Sequence, residues 1–274
     1  MRPDIDSLPP LRDVIAHHHL AARKKLGQHF LCDLNLTQKI AERAGDLSGC
    51  TVFEIGPGPG GLTRALLQTG AKKIIAIEKD KRCIEALADL IDIADGRLEL
   101  IEGDALKTDM LKLAKWPRAI VANLPYNIGT ELLLKWLRQI DAYKSLTLMF
   151  QKEVAERLMA TPGGKIYGRL SVITQFGCEV KRVFDLPARA FTPPPQVDST
   201  VVHMTPRKNR PEDISFEVME TLTAAAFGQR RKMLRSSLRA LGGEDLLRRA
   251  GINPELRAEN LSITNFEDLA RQLS

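Results

Sequence analysis

The chain has 274 residues, a net charge of +6 and a pI near 9.2, in an ordinary globular composition of 44% hydrophobic and 27% charged residues. That is enough to bury a real core, in one large domain plus a small one, and the positive balance favours an anionic partner without choosing one. No uninterrupted apolar run approaches a membrane span, Met1-Arg-Pro-Asp-Ile-Asp6 lacks a signal-peptide pattern, and Cys32, Cys50, Cys83 and Cys178 are scattered without a C-x-x-C pair. These observations argue against a membrane protein, a disulfide framework or a zinc site, and they favour a reducing cytosol.

In chain order, residues 11–22 read as a short helix carrying His17-His-His19, whose consecutive residues do not share a helix face and so make a poor metal site. Basic Arg23-Lys-Lys25 closes an N-terminal extension, residues 1–25, and Leu26-Gly-Gln-His-Phe-Leu31 precedes helical periodicity over 33–44. Strands at 52–55, 74–78, 98–102, 119–122 and 145–150 then alternate with helices at 62–68, 81–93, 110–114, 131–139 and 152–159. Strands this apolar, spaced by helices, predict an α/β fold with a parallel sheet covered on both faces. Apolar runs at 171–176, 180–184 and 200–204 fit added strands at a sheet edge. Thr205-Pro-Arg-Lys-Asn-Arg-Pro211 is a basic, proline-bounded break, which puts a first domain at 1–205 and a second at 206–274. Helices are expected there at 216–227, 230–241, 245–250, 254–261 and 265–273, with glycines 242, 243 and 251 as stops.

Chemistry enters at Val52-Phe-Glu-Ile-Gly-Pro-Gly-Pro-Gly-Gly-Leu-Thr-Arg64, a strand, a tight turn and a helix with four glycines in six residues. Gly56 and Gly58 suit a close backbone approach to a ligand, and the helix start offers free N–H groups. A dinucleotide loop rarely has a carboxylate just ahead of its first glycine, because Glu54 would repel a pyrophosphate. A cationic donor without phosphate, S-adenosylmethionine, welcomes it. Glu78 closes the next strand, where a carboxylate meets ribose hydroxyls. Asp104, after the strand at 98–102, can accept from an adenine amino group, with the turn backbone at Ala105 completing recognition. Taken singly, Glu78 and Asp104 could equally cap the helices that follow them.

Ala119-Ile-Val-Ala-Asn-Leu-Pro-Tyr126 is the most specific stretch. An adenine amine is a poor nucleophile because its lone pair is delocalised into the ring. The Asn123 side-chain carbonyl and the Leu124 backbone carbonyl can accept both of its hydrogens and turn the lone pair toward a methyl group. Pro125 fixes the turn without a competing N–H, and Tyr126 offers a flat face to a flipped-out base.

On these motifs the chain resembles the ribosomal RNA adenine dimethyltransferases, from about Lys24 to its end. The resemblance extends through Phe150-Gln-Lys-Glu-Val-Ala-Glu-Arg157, Tyr167-Gly-Arg-Leu-Ser171, Phe191-Thr-Pro-Pro-Pro-Gln-Val-Asp-Ser199 and Phe227-Gly-Gln-Arg-Arg-Lys232. It implies a Rossmann-like class I methyltransferase sheet with a small all-helical C-terminal domain that docks onto the ribosomal subunit. The activity implied is dimethylation of N6 on two adjacent adenosines near the 3′ end of small-subunit rRNA, in an assembling small subunit. The sequence is silent on oligomeric state, with a monomer the default expectation, and the cysteine pattern places the chain in the cytoplasm. By resemblance His29 and Leu31 contact the donor beside Gly56, Glu78, Asp104 and Asn123. Many members carry Asn where this chain has His29, a departure that a backbone contact survives. Phe191 would be a second aromatic wall of the base pocket, although its own context suits a core position equally. Arg207, Lys208, Arg230, Arg231, Lys232 and Arg235 would meet rRNA phosphates, those from Arg230 to Arg239 along one helix. Three other readings compete: a large-subunit rRNA adenine methylase, a non-catalytic nucleic-acid-binding protein that keeps the fold, and a nicotinamide-dependent oxidoreductase. The Phe191–Ser199 motif, the intact Asn123-Leu-Pro-Tyr126 and Glu54 respectively weigh against them.

Overall fold

A computed structural model describes residues 4–229 and 231–273. By internal contacts the chain divides into two compact units, Met1–Ala155 with Lys181–Thr205, and Glu156–Val180 with Pro206–Ser274. The second unit therefore takes in 156–180, which the sequence pattern places with the first.

The strands are β1 (Phe30–Leu31), β2 (Thr51–Ile55), β3 (Lys73–Glu78), β4 (Leu98–Glu102), β5 (Arg118–Asn123), β6 (Ser145–Gln151), β7 (Cys178–Leu186), β8 (Phe191–Thr192) and β9 (Ser199–Pro206). Seven of them form one sheet in the order β4-β3-β2-β5-β6-β9-β7, while β1 pairs with β8 in a separate ribbon. The ladders from β4 through β6 are parallel and β9 runs antiparallel to β6. Burial follows that topology. Central β2, β3, β5 and β6 are buried almost end to end, as helices on both faces require, and edge strand β4 is half-buried.

The chain runs outward from β2 to β3 to β4, then returns to place β5 on the other side of β2. The connections leaving β2 and β5 therefore diverge, and a crevice opens at the carboxyl ends of these strands. Every residue of the helix Gly61–Leu67 is buried. The helix Leu34–Glu42 is capped by Asp33, which accepts from the N–H groups of Asn35 and Leu36 at 2.9 and 3.3 Å. The expected helix at 81–93 is two, Lys81–Ala86 and Ala88–Ile93, interrupted at Leu87.

In the second unit three expectations fail. Residues 171–176 are not a strand but part of the helix Arg169–Gly177. Ser171, Val172, Ile173, Thr174, Phe176 and Gly177 are all buried, so the helix lacks the polar stripe that betrays a helical period. Two of its polar groups serve its neighbour: the Ser171 hydroxyl donates to the Arg157 carbonyl at 2.6 Å, and Gln175 donates to those of Leu158 and Ala160 at 3.0 and 2.8 Å. They satisfy the end of the helix Lys152–Leu158.

The expected helix at 230–241 is only Leu234–Ser237 and a 3₁₀ turn, Arg239–Leu241. The Leu234 and Arg235 N–H groups go to the carbonyls of Leu256 and Pro254 at 2.7 and 3.2 Å. Those residues lie in a turn and bend, because the expected helix at 254–261 shrinks to a 3₁₀ turn, Ala258–Asn260. Helices Phe216–Gly228, Gly243–Arg249 and Ile263–Arg271 complete the unit. They close on Phe176, Met219, Leu222, Leu234 and Phe266, and the buried Tyr167 hydroxyl donates to the Leu261 carbonyl at 2.9 Å.

Candidate active site

An open cleft of about 220 Å³ lies at the carboxyl ends of β2, β3, β4 and β5, bounded by the segment from Lys25 to Leu31. Glu54, Gly56, Gly58, Glu78, Asp104, Ala105, Asn123, Leu124, Pro125, Tyr126, His29 and Leu31 all line it, so the structure gathers every residue that the sequence nominates for the donor and the target base except Phe191.

The loop after β2 owes its shape to glycine. Gly58 has φ +55°, and a Cβ there would stand 3.0 Å from the Phe30 ring, so a side chain would be both strained and crowded. Glu54 is 1% exposed, and its Oε2 has no hydrogen-bond partner. Burial first, with the charge of Glu78 adding, pushes its carboxyl up to about 8. Without a cation beside it, Glu54 is therefore neutral at pH 7. A buried acceptor lacking a partner next to a bare backbone cradle fits the ammonium and sulfonium of S-adenosylmethionine and does not fit a phosphate.

Glu78 is 6% exposed and anchors the loop to β3. Its Oε2 accepts from the Gly58 N–H at 3.2 Å, and its Oε1 accepts from those of Lys79 and Asp80 at 2.8 Å each. Burial raises its pKa and these three bonds oppose the rise. Each oxygen can accept twice, so Oε1 is filled by Lys79 and Asp80 and Oε2 keeps one position open for a ribose hydroxyl. Asp104 caps its own turn, accepting from the Leu106 N–H at 3.0 Å, and pairs with the Lys79 ammonium at 2.9 Å, which holds its carboxyl below the usual range. Both acids thus fill the bland role of ordering backbone while facing the cleft.

The segment over the cleft is held by residues to which sequence reasoning gave no role. Asp80, 3% exposed, takes the Arg82 guanidinium through both oxygens at 3.1 and 2.7 Å, and Gln28 Nε2 at 3.1 Å. Arg82 above all, and also Gln28, hold the carboxyl at about 2. Arg82 also donates to the carbonyls of His19 and Ala21 at 3.1 and 3.2 Å, and Leu31 pairs with Phe191 across the β1–β8 ribbon. The signal was there in Glu78-Lys-Asp80, an acid two residues beyond the ribose position.

At the acceptor end, Asn123 Nδ2 donates to the His29 carbonyl at 3.2 Å. That bond fixes the amide orientation and leaves Oδ1 as the accepting end. The Tyr126 hydroxyl meets the Ser199 hydroxyl at 2.5 Å, and its ring lies against the His29 ring, centroids 5.1 Å apart and planes 30° from parallel. His29 Nδ1 is 2.8 Å from the Pro193 carbonyl. Phe191 is not on the cleft wall. It is 3% exposed and packs with Leu31, Ile40 and Met149 in the core, so the aromatic partner beside Tyr126 is His29.

The basic residues belong to the helical unit. Arg207 pairs with Glu267, and Arg235 lies 3.9 Å from Glu255. Lys208, Arg231 and Lys232 are exposed. Arg230 lies outside the described residues, and Arg231 and Lys232 sit in a turn ahead of the short helix, so the charges do not repeat along one helix as expected. Among the described residues no group of His, Cys, Asp or Glu could hold a metal ion, His17 to His19 included, and no helix is long and apolar enough to cross a membrane. Among the described residues no cysteine is joined in a disulfide.

Comparison with known proteins agrees with this geometry. A protein 60% identical over 273 residues, covering 98% of this chain and 99% of its own length, is the Ribosomal RNA small subunit methyltransferase A of Rhizobium etli. A dimethyladenosine transferase from Plasmodium falciparum superposes with a TM-score of 0.76 at 30% identity, over 88% of this chain and 96% of that one. The 23S rRNA methyltransferase ErmE, at 24% identity and a TM-score of 0.68 over 89% of this chain and 99% of its own, shares the fold. The family model for ribosomal RNA adenine dimethylase matches residues 19–274, more than nine-tenths of the sequence. With its donor cleft, its Asn-Leu-Pro-Tyr acceptor turn and these relatives, the chain belongs to the ribosomal RNA adenine dimethylase family.

Proposed function

We propose that this protein transfers methyl groups from S-adenosylmethionine to N6 of two adjacent adenosines near the 3′ end of small-subunit rRNA, acting as a cytoplasmic monomer on the assembling small subunit. The observation that carries the reading is the Asn123 amide, turned by the His29 carbonyl so that Oδ1 is left to accept beside the glycine loop. The donor, when bound, supplies an electrophilic methyl group on a sulfonium. Glu54 meets its ammonium end, Gly56 and Gly58 allow close backbone approach, Glu78 takes a ribose hydroxyl through Oε2, and Asp104 with the Ala105 backbone takes the adenine.

Asn123 Oδ1 and the Leu124 carbonyl accept the two hydrogens of the target amine and align its lone pair, so the site works by orientation and needs no strong base. Tyr126 stacks on the flipped base with its ring held by Ser199, and Phe191 supports the β1–β8 ribbon from the core. Lys208, Arg231, Lys232 and Arg235, in the 206–274 part of the helical unit, meet rRNA phosphates. The small-subunit acceptor is supported by the name of the 60% identical relative, and catalysis over mere binding is supported by the intact Asn123-Leu-Pro-Tyr126.

The test uses purified protein, labelled S-adenosylmethionine and unmethylated small subunits, with free rRNA and large subunits as controls, and identifies product nucleosides by mass. N6,N6-dimethyladenosine from small subunits alone is expected. Label in large subunits, or binding without transfer, would overturn the assignment.

A further inference from the structure

Lys135 lies in the helix Gly129–Leu137, which leaves the acceptor turn three residues after Tyr126, and it points back to the loop after β4. Its ammonium donates to three backbone carbonyls at once, those of Ala105 and Leu106 at 2.9 Å each and that of Thr108 at 2.6 Å. An ammonium has three hydrogens, and each finds a carbonyl rather than a carboxylate. The rest of the loop closes on itself: the Thr108 hydroxyl and the Lys107 N–H donate to the Asp104 carbonyl at 2.9 Å each, and the Gly103 N–H donates to that of Glu78 at 2.8 Å. Asp104 is held from the other side by Lys79. Burial lowers the Lys135 pKa, while Asp109 and Asp104 oppose that by charge.

We propose that Lys135 is a positioning residue for the adenine end of the donor site, stapling the turn from Gly103 to Thr108 so that Asp104 and the Ala105 backbone meet the adenine already in place. The inference rests on the donor reading given above and deepens it. Three strong donors on one short loop convert it from a segment that must order on binding into one that is ordered beforehand. Lys135 therefore sets donor affinity without touching the donor. Its effect belongs to the adenosine half of the ligand, because none of the three carbonyls lies at Glu54 or in the glycine loop.

The test compares the full-length wild type with Lys135→Met and Lys135→Gln by calorimetric titration of S-adenosylhomocysteine and of methylthioadenosine, which keeps the adenosine and lacks the amino-acid end. If the ordered loop falls to about a tenth of the population, both dissociation constants rise by about tenfold, and by the same factor. The turnover number at saturating donor and KM for rRNA stay within about twofold. Glutamine, with two N–H donors, falls between wild type and methionine. Unchanged affinity in both variants would sink the proposal, and so would a parallel loss of turnover and rRNA affinity, the mark of a merely structural contact. Should Lys135→Met fail to fold, Lys135→Gln carries the same titrations, with faster amide exchange expected at Ala105 to Thr108. A wild type that binds neither ligand would instead overturn the donor reading.

Discussion

Replacing Glu54 by glutamine isolates the most perturbed group of the cleft. Its carboxyl ionises at about 8 in the folded chain against an ordinary 4.5. Below pH 4.5 both folded and unfolded chains hold the proton. Between 4.5 and 8 the unfolded chain ionises and the folded one does not, so wild-type stability falls as pH rises through this window and levels off above it. At 1.36 kcal/mol per pH unit, the loss is at most about 3 kcal/mol at pH 7 and about 5 kcal/mol at pH 8. Glu54→Gln removes the titration. The ligand-free variant should therefore gain on wild type as pH is raised from 5 to 8, by roughly several degrees in melting temperature at the upper end. Ligand binding should behave oppositely. A cationic ammonium beside Glu54 restores its charge, so S-adenosylhomocysteine should release a proton on binding below pH 8, with affinity rising by up to about tenfold per pH unit. Calorimetry in buffers of different ionisation enthalpy reads that proton directly. The variant should bind more weakly and without the proton. Equal affinity and an equal pH slope in the two proteins would refute the assignment of Glu54 to the cationic end.

Asn123→Ala should reduce turnover by at least about a hundredfold while rRNA affinity is kept, because it removes an acceptor aimed at the reacting amine; methylation at a near wild-type rate would remove Asn123 from the mechanism. Tyr126→Phe and Ser199→Ala each break the hydroxyl pair, worth about 1 kcal/mol, and should lower kcat/KM for rRNA by a similar factor. A double variant much worse than either single one would mean that the two act separately. Asp80→Asn should destabilise the fold by about 2 kcal/mol at neutral pH, since a carboxyl held at about 2 contributes stability above pH 3.8 that is lost as pH falls through 2. It should also loosen the segment from His19 to Gln28, read as faster proteolysis there. Reversing charge at Arg231 and Lys232 should weaken subunit binding and cut the log–log salt slope by roughly 0.7–0.9 per lost phosphate contact, whereas an unchanged slope across salt concentrations would make the pair ordinary surface.

The features legible in the sequence are those whose chemistry is local. Gly56 to Gly61, an acid at the end of β3 and Asn123-Leu-Pro-Tyr126 are contiguous strings whose backbone demands are the same wherever they occur. Strand–helix alternation gave the parallel sheet, since a strand buried on both faces must be apolar throughout. The same logic misled at 171–176, where a helix buried on nearly every side reads as an apolar run as well. What could not be read is pairing across distance. Gln28 and Asp80 are 52 residues apart, Tyr126 and Ser199 73, and Lys135 and Ala105 30. A lysine in a helix announces a cation but not which carbonyls surround it, and most such lysines point to water. Phe191 fell for the same reason: an aromatic before prolines predicts a rigid loop, while the face its ring presents depends on Leu31 in another part of the chain. The motifs thus identify the chemistry, and the partners that hold them still, which set affinity and rate, emerge only when the chain is folded.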